Sequence, residues 1–263
     1  MDFEELYAFA SRSKTAYATE AVIHSSYPAT VRVSTPGQED VLYFLEQNDK
    51  ARTQYIAVRG TVDKRNFSED LSIGIRDDRA IDIPVHAGFD AVAESIYVDL
   101  RPYLKPGYKT YLTGHSLGGA IAALLAVYFI EDGHKVVRVV TFGQPRFTTA
   151  VGVERLGSLP ILRVVDENDM VPMLPPATSR HPNYGPYEHV GPEIILLEGP
   201  RYVYLPGHDA NRIAIGEFWR STAFADLADH KMDNYLLRLS TKRKGAVVVA
   251  YNDRERYVAG QSR

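Results

Sequence analysis

The feature that most constrains the fold of this chain is the stretch of residues 109–131, in which a short strand, a glycine-rich turn and a long apolar helix follow directly on one another. β-Branched and aromatic residues predict the strand over 109–113, KTYLT. An alanine- and leucine-rich segment predicts the helix over 117–131. Ser116 therefore lies at a sharp strand-to-helix turn, which is typical of the central part of an α/β protein.

The same alternation of strands and helices extends along most of the chain. Apolar periodicity predicts helices over 2–18, 86–104, 211–219 and 230–239, and strands over 41–47, 53–60, 136–142, 161–165, 193–198 and 202–205. Loop-like composition fills 61–85, and residues 166–192 are rich in Pro, Asn and Tyr. We therefore expect one α/β domain over 1–263, with a central sheet that is mostly parallel. Because ligands bind beyond the carboxyl ends of such strands, the loops 60–70, 114–116 and 166–170 are the candidate site.

The overall composition excludes several classes of protein. Lys and Arg number 30 against 33 Asp and Glu, a net charge of −3, so no electrostatic reason exists to expect a nucleic-acid partner. The one basic cluster, 242–244, is expected to be a solvated helix end or turn and not a binding patch. With no cysteine, the chain has neither disulfides nor thiolate metal ligands.

The sequence indicates a soluble protein without a transmembrane segment. The longest apolar run, 120–130, is shorter than the roughly 20 residues that span a bilayer. The first residues, MDFEELYAFA, are acidic and do not resemble a signal peptide. A cytoplasmic protein and a secreted one whose signal peptide has been removed both fit these features.

Ser116 lies in a G-x-S-x-G pattern, GHSLG, over 114–118. Such a turn places a serine hydroxyl at its apex, and Gly114 and Gly118 lack the Cβ atoms that would clash there. The backbone amide of Leu117, at the start of the helix, is then placed to stabilise an oxyanion. The alternative is an ordinary glycine-rich turn in which the serine caps the helix.

A nucleophilic serine requires a histidine base and a carboxylate that orients it, and these follow the serine in the order acid, then histidine, in α/β hydrolases. Asp166 and Asp169 both lie just past a predicted strand. The later histidines are His181, His189, His208 and His230. His230 is attractive because it follows polar residues at the start of a helix, but the residues alone leave His189 and both acids open. His115 is expected to be a packing residue.

Eight motifs in order resemble the class 3 lipases, the fungal-lipase-like branch of the α/β hydrolases. They are VRGT (58–61), NFSEDL (66–71), VHAGF (85–89), TGHSLGGA (113–120), VTFGQPR (140–146), VVDENDMVPMLPP (164–176), YEHVGPE (187–193) and DHKMDNY (229–235). The resemblance extends over about residues 55–240 and implies an α/β-hydrolase fold.

The resemblance assigns roles to five residues of this chain. It implies that Ser116 is the nucleophile, that Asp169 in N-D-x-V-P is the acid, and that His230 is the base. It also implies that the backbone amides of Thr61 and Leu117 form the oxyanion hole. Neither a metal nor an organic cofactor is implied, and His189 falls in an element that resembles a structural feature of the family.

The resemblance predicts a carboxylic-ester hydrolase, most simply a lipase that cleaves acylglycerols and meets them at a lipid–water interface. The segment near 62–75, which resembles the family's lid, carries Asp63, Lys64, Arg65 and Glu69. Such a polar lid favours, as an alternative, an esterase for short-chain or feruloyl esters. A non-catalytic scaffold with a lipase-like fold is the remote alternative.

Overall fold

The computed structural model describes residues 1–37, 39–60, 74–78, 81–175, 180–181, 185–207 and 230–258. Over these ranges the helices are α1 (Phe3–Thr15), α2 (Glu20–Ser26), α3 (Ala87–Leu100), α4 (Leu117–Glu131), α5 (Ala150–Arg155) and α6 (Met232–Lys242). Short 3₁₀ helices lie at Arg101–Tyr103, Val171–Met173 and Tyr251–Tyr257.

The strands of the same ranges are β1 (Thr30–Ser34), β2 (Tyr43–Asn48), β3 (Thr53–Val58), β4 (Ile75–Asp78), β5 (Ile83–His86), β6 (Lys109–His115), β7 (Lys135–Phe142), β8 (Thr148–Thr149), β9 (Ile161–Asp166), β10 (Arg180–His181), β11 (Gly185–Glu188), β12 (Glu193–Leu196), β13 (Arg201–Leu205) and β14 (Val247–Val248).

Most described strands form one sheet in the order β1-β2-β3-β6-β7-β9-β12-β13-β14. The neighbours from β3 to β12 pair in parallel, whereas β1, β2 and β13 join antiparallel. The predicted α/β-hydrolase fold with a mostly parallel central sheet is therefore confirmed. Since β3, β6 and β9 run in the same direction, the loops that follow them meet at one edge of the sheet.

Helices cover both faces of this sheet. On one face α4 is buried from Leu117 to Phe129 and packs with α3 in the larger core. On the other face α1 and α6 lie side by side and bury aromatic and aliphatic residues, among them Phe9 and Tyr235, against β7, β9 and β12. An all-round apolar helix such as α4 is stable only inside such a layered core. In the described part of the chain, no helix has both the length and the apolar character needed to cross a bilayer.

Several predicted boundaries and connections differ from the structure. The predicted helix over 2–18 is shorter because Asp2 caps α1 at its start and the helix stops at Thr15. The predicted helix over 86–104 ends at Leu100, just before Pro102, and tightens into a 3₁₀ turn. The predicted helix over 211–219 lies outside the described residues, as do 62–73 of the lid-like segment.

The expected loops also contain regular structure. Residues 61–85 and 166–192 contribute β4, β5, β10 and β11, which join β8 in a second, antiparallel sheet within the described ranges. These strands have two to four residues each, too few to show an alternating pattern. The short elements α2 and β1 are likewise absent from the predictions, since α2 buries Ile23 alone.

The basic cluster 242–244 is not entirely solvated. Lys242 is 1% exposed, and its Nζ donates to the carbonyl oxygens of Leu197 (2.8 Å) and Gly199 (3.0 Å). Its position on the inner face of α6 places the ammonium over the β12–β13 hairpin, which the charge pattern of the sequence does not reveal. The expectation of a solvated helix end is therefore wrong for Lys242.

Candidate active site

Ser116 lies between β6 and α4 in a backbone conformation that serine rarely adopts. Its φ is 59° and its ψ is −134°, so the chain reverses within one residue. The Ser116 amide donates to the Phe142 carbonyl (2.9 Å), and the Gly119 amide donates to the Ser116 carbonyl (2.9 Å). Non-glycine residues remain at positive φ only where the surroundings impose it, typically at functional sites. The strand–turn–helix elbow expected from the sequence is present.

Two glycines allow the elbow to pack this closely. A Cβ atom on Gly114 would lie 2.1 Å from the Gly118 carbonyl oxygen, and one on Gly118 would lie 2.4 Å from the Val58 carbonyl oxygen. Both contacts are with backbone atoms, so no side-chain rotation relieves them. The first turn of α4 is thus pressed against β6 on one side and the end of β3 on the other, as the glycine spacing predicts.

Of the two candidate oxyanion residues, Leu117 lies within the described residues. Leu117 is the first residue of α4, so its amide belongs to the positive end of the helix dipole. Thr61 lies outside the described residues. Gly60, directly before it, is placed against the elbow, because a Cβ there would lie 2.7 Å from the His115 carbonyl oxygen and 3.0 Å from the Ser116 Cβ. The last described residue before Thr61 therefore packs directly beside Ser116.

Asp169 and His230 are brought together as the resemblance implies. His230 Nδ1 lies 2.6 Å from Asp169 Oδ2, and the Asp169 carboxylate is fully buried. The Val171 amide donates to Asp169 Oδ1 (2.9 Å), and the Tyr235 hydroxyl donates to Oδ2 (2.5 Å). A carboxylate held by three donors has a fixed orientation and can fix the orientation of the imidazole in turn.

The other carboxylate that the sequence left open has a different partner. Asp166, at the end of β9, accepts from Arg238 Nε at 2.6 Å. Burial raises the pKa of Asp166 to about 6, and the positive charge of Arg238 opposes this shift. Asp166 is therefore engaged in an ion pair with α6, whereas Asp169 is the acid that contacts a histidine.

Of the other histidines weighed from the sequence, the structure describes the side chains of His189 and His115. His189 is buried, and its Nε2 lies 2.6 Å from the Pro172 carbonyl oxygen, so it braces the loop that follows Asp169. The His208 position and the His181 side chain lie outside the described residues. His115 is buried and packs its ring against the ring of His230, with centroids 4.4 Å apart. Through this contact the Asp169–His230 pair stands beside the elbow that carries Ser116.

Two tyrosines also form hydrogen bonds at the site. Tyr235, in the DHKMDNY motif, has its pKa raised well above the usual value by burial and by the nearby charge of Asp169, so its hydroxyl stays protonated and donates. Tyr17 bonds His115 Nδ1 (2.8 Å) and accepts from the Gly60 amide (3.1 Å). No sequence pattern points to Tyr17, because its partners lie more than 40 residues away along the chain.

One group of acidic side chains in the described ranges is close enough to hold a cation: Asp78, Asp90 and Glu94. Arg76 forms ion pairs with Asp90 and Glu94, and the Tyr128 hydroxyl lies within hydrogen-bond distance of carboxylate oxygens of both Asp78 and Asp90. These contacts give the carboxylates protein partners, and Asp78 belongs to β4 of the second sheet.

Comparison with known proteins links this arrangement to one family. The family model described as lipase (class 3) matches residues 55–179. The secreted mono- and diacylglycerol lipase 1 of Fusarium solani is 32% identical over 164 residues, which cover 58% of this chain and 46% of that protein. The lipase of Rhizomucor miehei is 34% identical over 153 residues, covering 52% and 42% of the two chains. The chain thus spans less than half the length of these curated relatives.

A solved structure gives the same result. The crystal structure of the lipase from Rhizopus microsporus var. chinensis superposes with a TM-score of 0.64 and 26% sequence identity, and the alignment covers 74% of each chain. This alignment extends well beyond the residues that the family model matches.

Proposed function

Because the chain belongs to the class 3 lipase family, we propose that it hydrolyses the carboxylic esters of acylglycerols through an acyl-enzyme on Ser116. The observation that carries this proposal is the strained elbow at Ser116, with a φ of 59°, beside the hydrogen-bonded pair of Asp169 and His230. A serine at such an apex next to a carboxylate-oriented imidazole is the arrangement that acyl transfer requires.

In the proposed reaction His230 Nε2 takes the Ser116 proton as the hydroxyl oxygen attacks the ester carbonyl carbon. Asp169 keeps the Nδ1 proton of His230 in place and stabilises the imidazolium that forms. The amides of Leu117 and Thr61 bind the oxyanion, each donor contributing about 3–4 kcal/mol. His230 then protonates the leaving alcohol, and water repeats the sequence to release the fatty acid and free the serine.

Release of fatty acid from emulsified triolein tests the proposal. Wild type is expected to release acid and Ser116→Ala to release none above background. Ser158→Ala is the matched control, because Ser158 is an exposed serine in the turn after α5. Wild type that cleaves no acyl ester of any chain length would overturn the proposal and favour a non-catalytic scaffold.

A second candidate is an esterase for short-chain or feruloyl esters, which the charged sequence of the lid-like segment 62–75 favours. A lid that opens onto lipid requires an apolar face. In the first part of this segment only Val62 and Phe67 are apolar. A series of esters from acetate to oleate, together with a feruloyl ester, separates the two. A sharp rise in rate above the solubility limit of the substrate indicates a lipase acting at a lipid–water interface, and its absence indicates the esterase.

A further inference from the structure

We propose that Tyr17 is a positioning residue of this site: its hydroxyl ties the end of β3 to the elbow and fixes the tautomer of His115, on which the ring of His230 rests. Tyr17 lies in the turn after α1 and has no part in the reaction steps described above. The inference rests on the proposed function for its catalytic consequence, but its geometry stands independently.

The hydrogen bonds of the Tyr17 hydroxyl define its direction. The oxygen accepts the Gly60 amide at 3.1 Å and lies 2.8 Å from His115 Nδ1. A phenol has one proton to donate, and burial raises the pKa of Tyr17 above its usual value, so that proton remains bound. With the Gly60 N–H as donor on one side, the Tyr17 proton goes to His115 Nδ1 on the other. His115 then carries its own proton on Nε2.

Burial keeps His115 neutral, and the hydrogen bond from Tyr17 is compatible with this state. Burial lowers the pKa of His115 well below its usual value, and the neighbouring His230 lowers it further, while a backbone contact with His230 opposes the shift. A donor that points at Nδ1 stabilises the neutral ring and disfavours a second ring proton. The described aromatic rings in contact with His115 are those of Tyr17, His230 and Tyr235. The positive charge of Lys14 lowers the pKa of His115, as His230 does.

A neutral His115 matters to the proposed base. The two imidazoles lie 4.4 Å apart with an angle of 31° between their planes. In the proposed reaction His230 becomes a cation at each proton transfer, and a charged neighbour at this distance would repel it. A neutral ring with a fixed tautomer instead offers a constant surface on which His230 keeps its orientation toward Ser116.

The hydrogen bond from the Gly60 amide to Tyr17 positions the end of the segment that follows β3. Gly60 directly precedes Thr61, whose amide is a proposed oxyanion donor, and a Cβ on Gly60 would lie 2.6 Å from the Tyr17 hydroxyl oxygen. Only glycine therefore fits between Tyr17 and the elbow. By accepting the Gly60 N–H, Tyr17 sets the direction in which the chain leaves β3.

Steady-state kinetics on p-nitrophenyl butyrate test the catalytic consequence. Tyr17→Phe removes both hydrogen bonds of the hydroxyl, to Gly60 and to His115, and is expected to lower kcat about 10-fold with KM within about twofold, because Tyr17 does not touch substrate. Tyr111→Phe is the matched control: Tyr111 is a partly buried tyrosine of β6 that stacks on Tyr55 at the far end of the strand. It is expected to keep the wild-type kcat.

The tautomer of His115 provides a readout that does not depend on activity. Two-bond proton–nitrogen NMR spectra of ¹⁵N-histidine-labelled wild type, with His115 assigned by its loss in His115→Asn, are expected to show a protonated Nε2 and an unprotonated Nδ1. Tyr17→Phe is expected to shift this population toward the Nδ1–H form. Since the wild-type spectrum is informative alone, the test holds even where Tyr17→Phe does not fold.

The outcomes separate this inference from the proposed function. A wild type with the Nδ1–H tautomer, or a folded Tyr17→Phe with unchanged kcat, overturns the role of Tyr17 while the ester hydrolase stands. A wild type that cleaves no ester overturns the proposed function and the catalytic role of Tyr17 together.

Discussion

At the scale of single residues, the site depends on side chains and backbone angles that neighbours impose. Ser116 has a positive φ in an elbow whose Gly118 packs against the end of β3, and Asp169 is held by donors from Val171 in the same loop and from Tyr235 of α6. The backbone strain at Ser116 costs folding energy locally and is maintained by contacts elsewhere. The consequence is a site whose geometry exists before any substrate binds.

The strain at Ser116 predicts an unusual order of stability for two variants. Glycine adopts positive φ without a Cβ penalty, so Ser116→Gly is expected to unfold at higher urea concentration than Ser116→Ala, by about 1 kcal/mol in the free energy of unfolding. Both variants remove the hydroxyl, which isolates the backbone effect. Equal stability, or a more stable alanine variant, would mean that the elbow stores no strain.

The sequence predicted some of these residues and not others, for a physical reason. The position of Ser116 follows from local chemistry, because strand, glycines and helix are adjacent in the chain. Asp169 and His230 required the order of the motifs, since the residues alone left Asp166 and His189 open. Tyr17 depends on how α1 docks onto the sheet, and no local pattern encodes a contact across nearly 100 residues.

At the scale of elements, the C-terminal part of the chain holds the loop that carries the candidate acid. Three acidic residues of this loop have partners there: Asp166 pairs with Arg238, Glu167 Oε1 lies 3.4 Å from Arg254 Nε, and Asp169 accepts from Tyr235. Arg238 and Tyr235 both belong to α6, one turn apart. The strand predicted over 161–165 and the helix predicted over 230–239 therefore contribute to the candidate site only when they pack together.

The contact between α4 and β3 leads to a prediction about Gly118. A Cβ there would meet the Val58 carbonyl oxygen at 2.4 Å, so Gly118→Ala must shift the start of α4. We expect a loss of about 2–3 kcal/mol in the free energy of unfolding and a fall in kcat/KM of about 100-fold or more. Urea unfolding and hydrolysis of p-nitrophenyl butyrate measure the two effects.

Gly157→Ala is the control for this substitution. Gly157 is exposed in the turn after α5, and a Cβ placed there would meet the Val153 and Glu154 carbonyl oxygens at 3.8 and 3.9 Å, which are ordinary contacts. The same chemical change is therefore expected to alter the free energy of unfolding by no more than about 0.5 kcal/mol and to leave kcat/KM unchanged. A Gly118→Ala variant that behaves like Gly157→Ala would contradict the close packing of the elbow.

At the scale of the whole molecule, one sheet with helices on both faces brings distant segments to one edge. This architecture is predictable because each long strand and helix has its own apolar period, and the five parallel strands from β3 to β12 follow from their alternation with helices. The second, antiparallel sheet was not predictable, because its strands have two to four residues and depend on tertiary pairing.

A buried cation makes the stability of the whole molecule depend on pH. Burial lowers the pKa of Lys242 to about 8, against about 10.4 in an unfolded chain. Between these values the unfolded state binds more protons than the folded state, so the free energy of unfolding rises with pH. From pH 7.5 to 9.5 wild type is therefore expected to gain about 1–2 kcal/mol relative to Lys242→Met, measured by urea unfolding. Parallel pH profiles for the two proteins would contradict a titrating Lys242.

Covalent labelling with a p-nitrophenyl alkylphosphonate tests the central proposal, that Ser116 is an activated nucleophile. Mass spectrometry is expected to find one phosphonyl group per wild-type chain, on Ser116, and none on Ser116→Ala. His230→Gln should slow the reaction by at least about 100-fold, since the serine then lacks its base. A folded wild type that stays unlabelled, or that is labelled at another residue, would contradict the account.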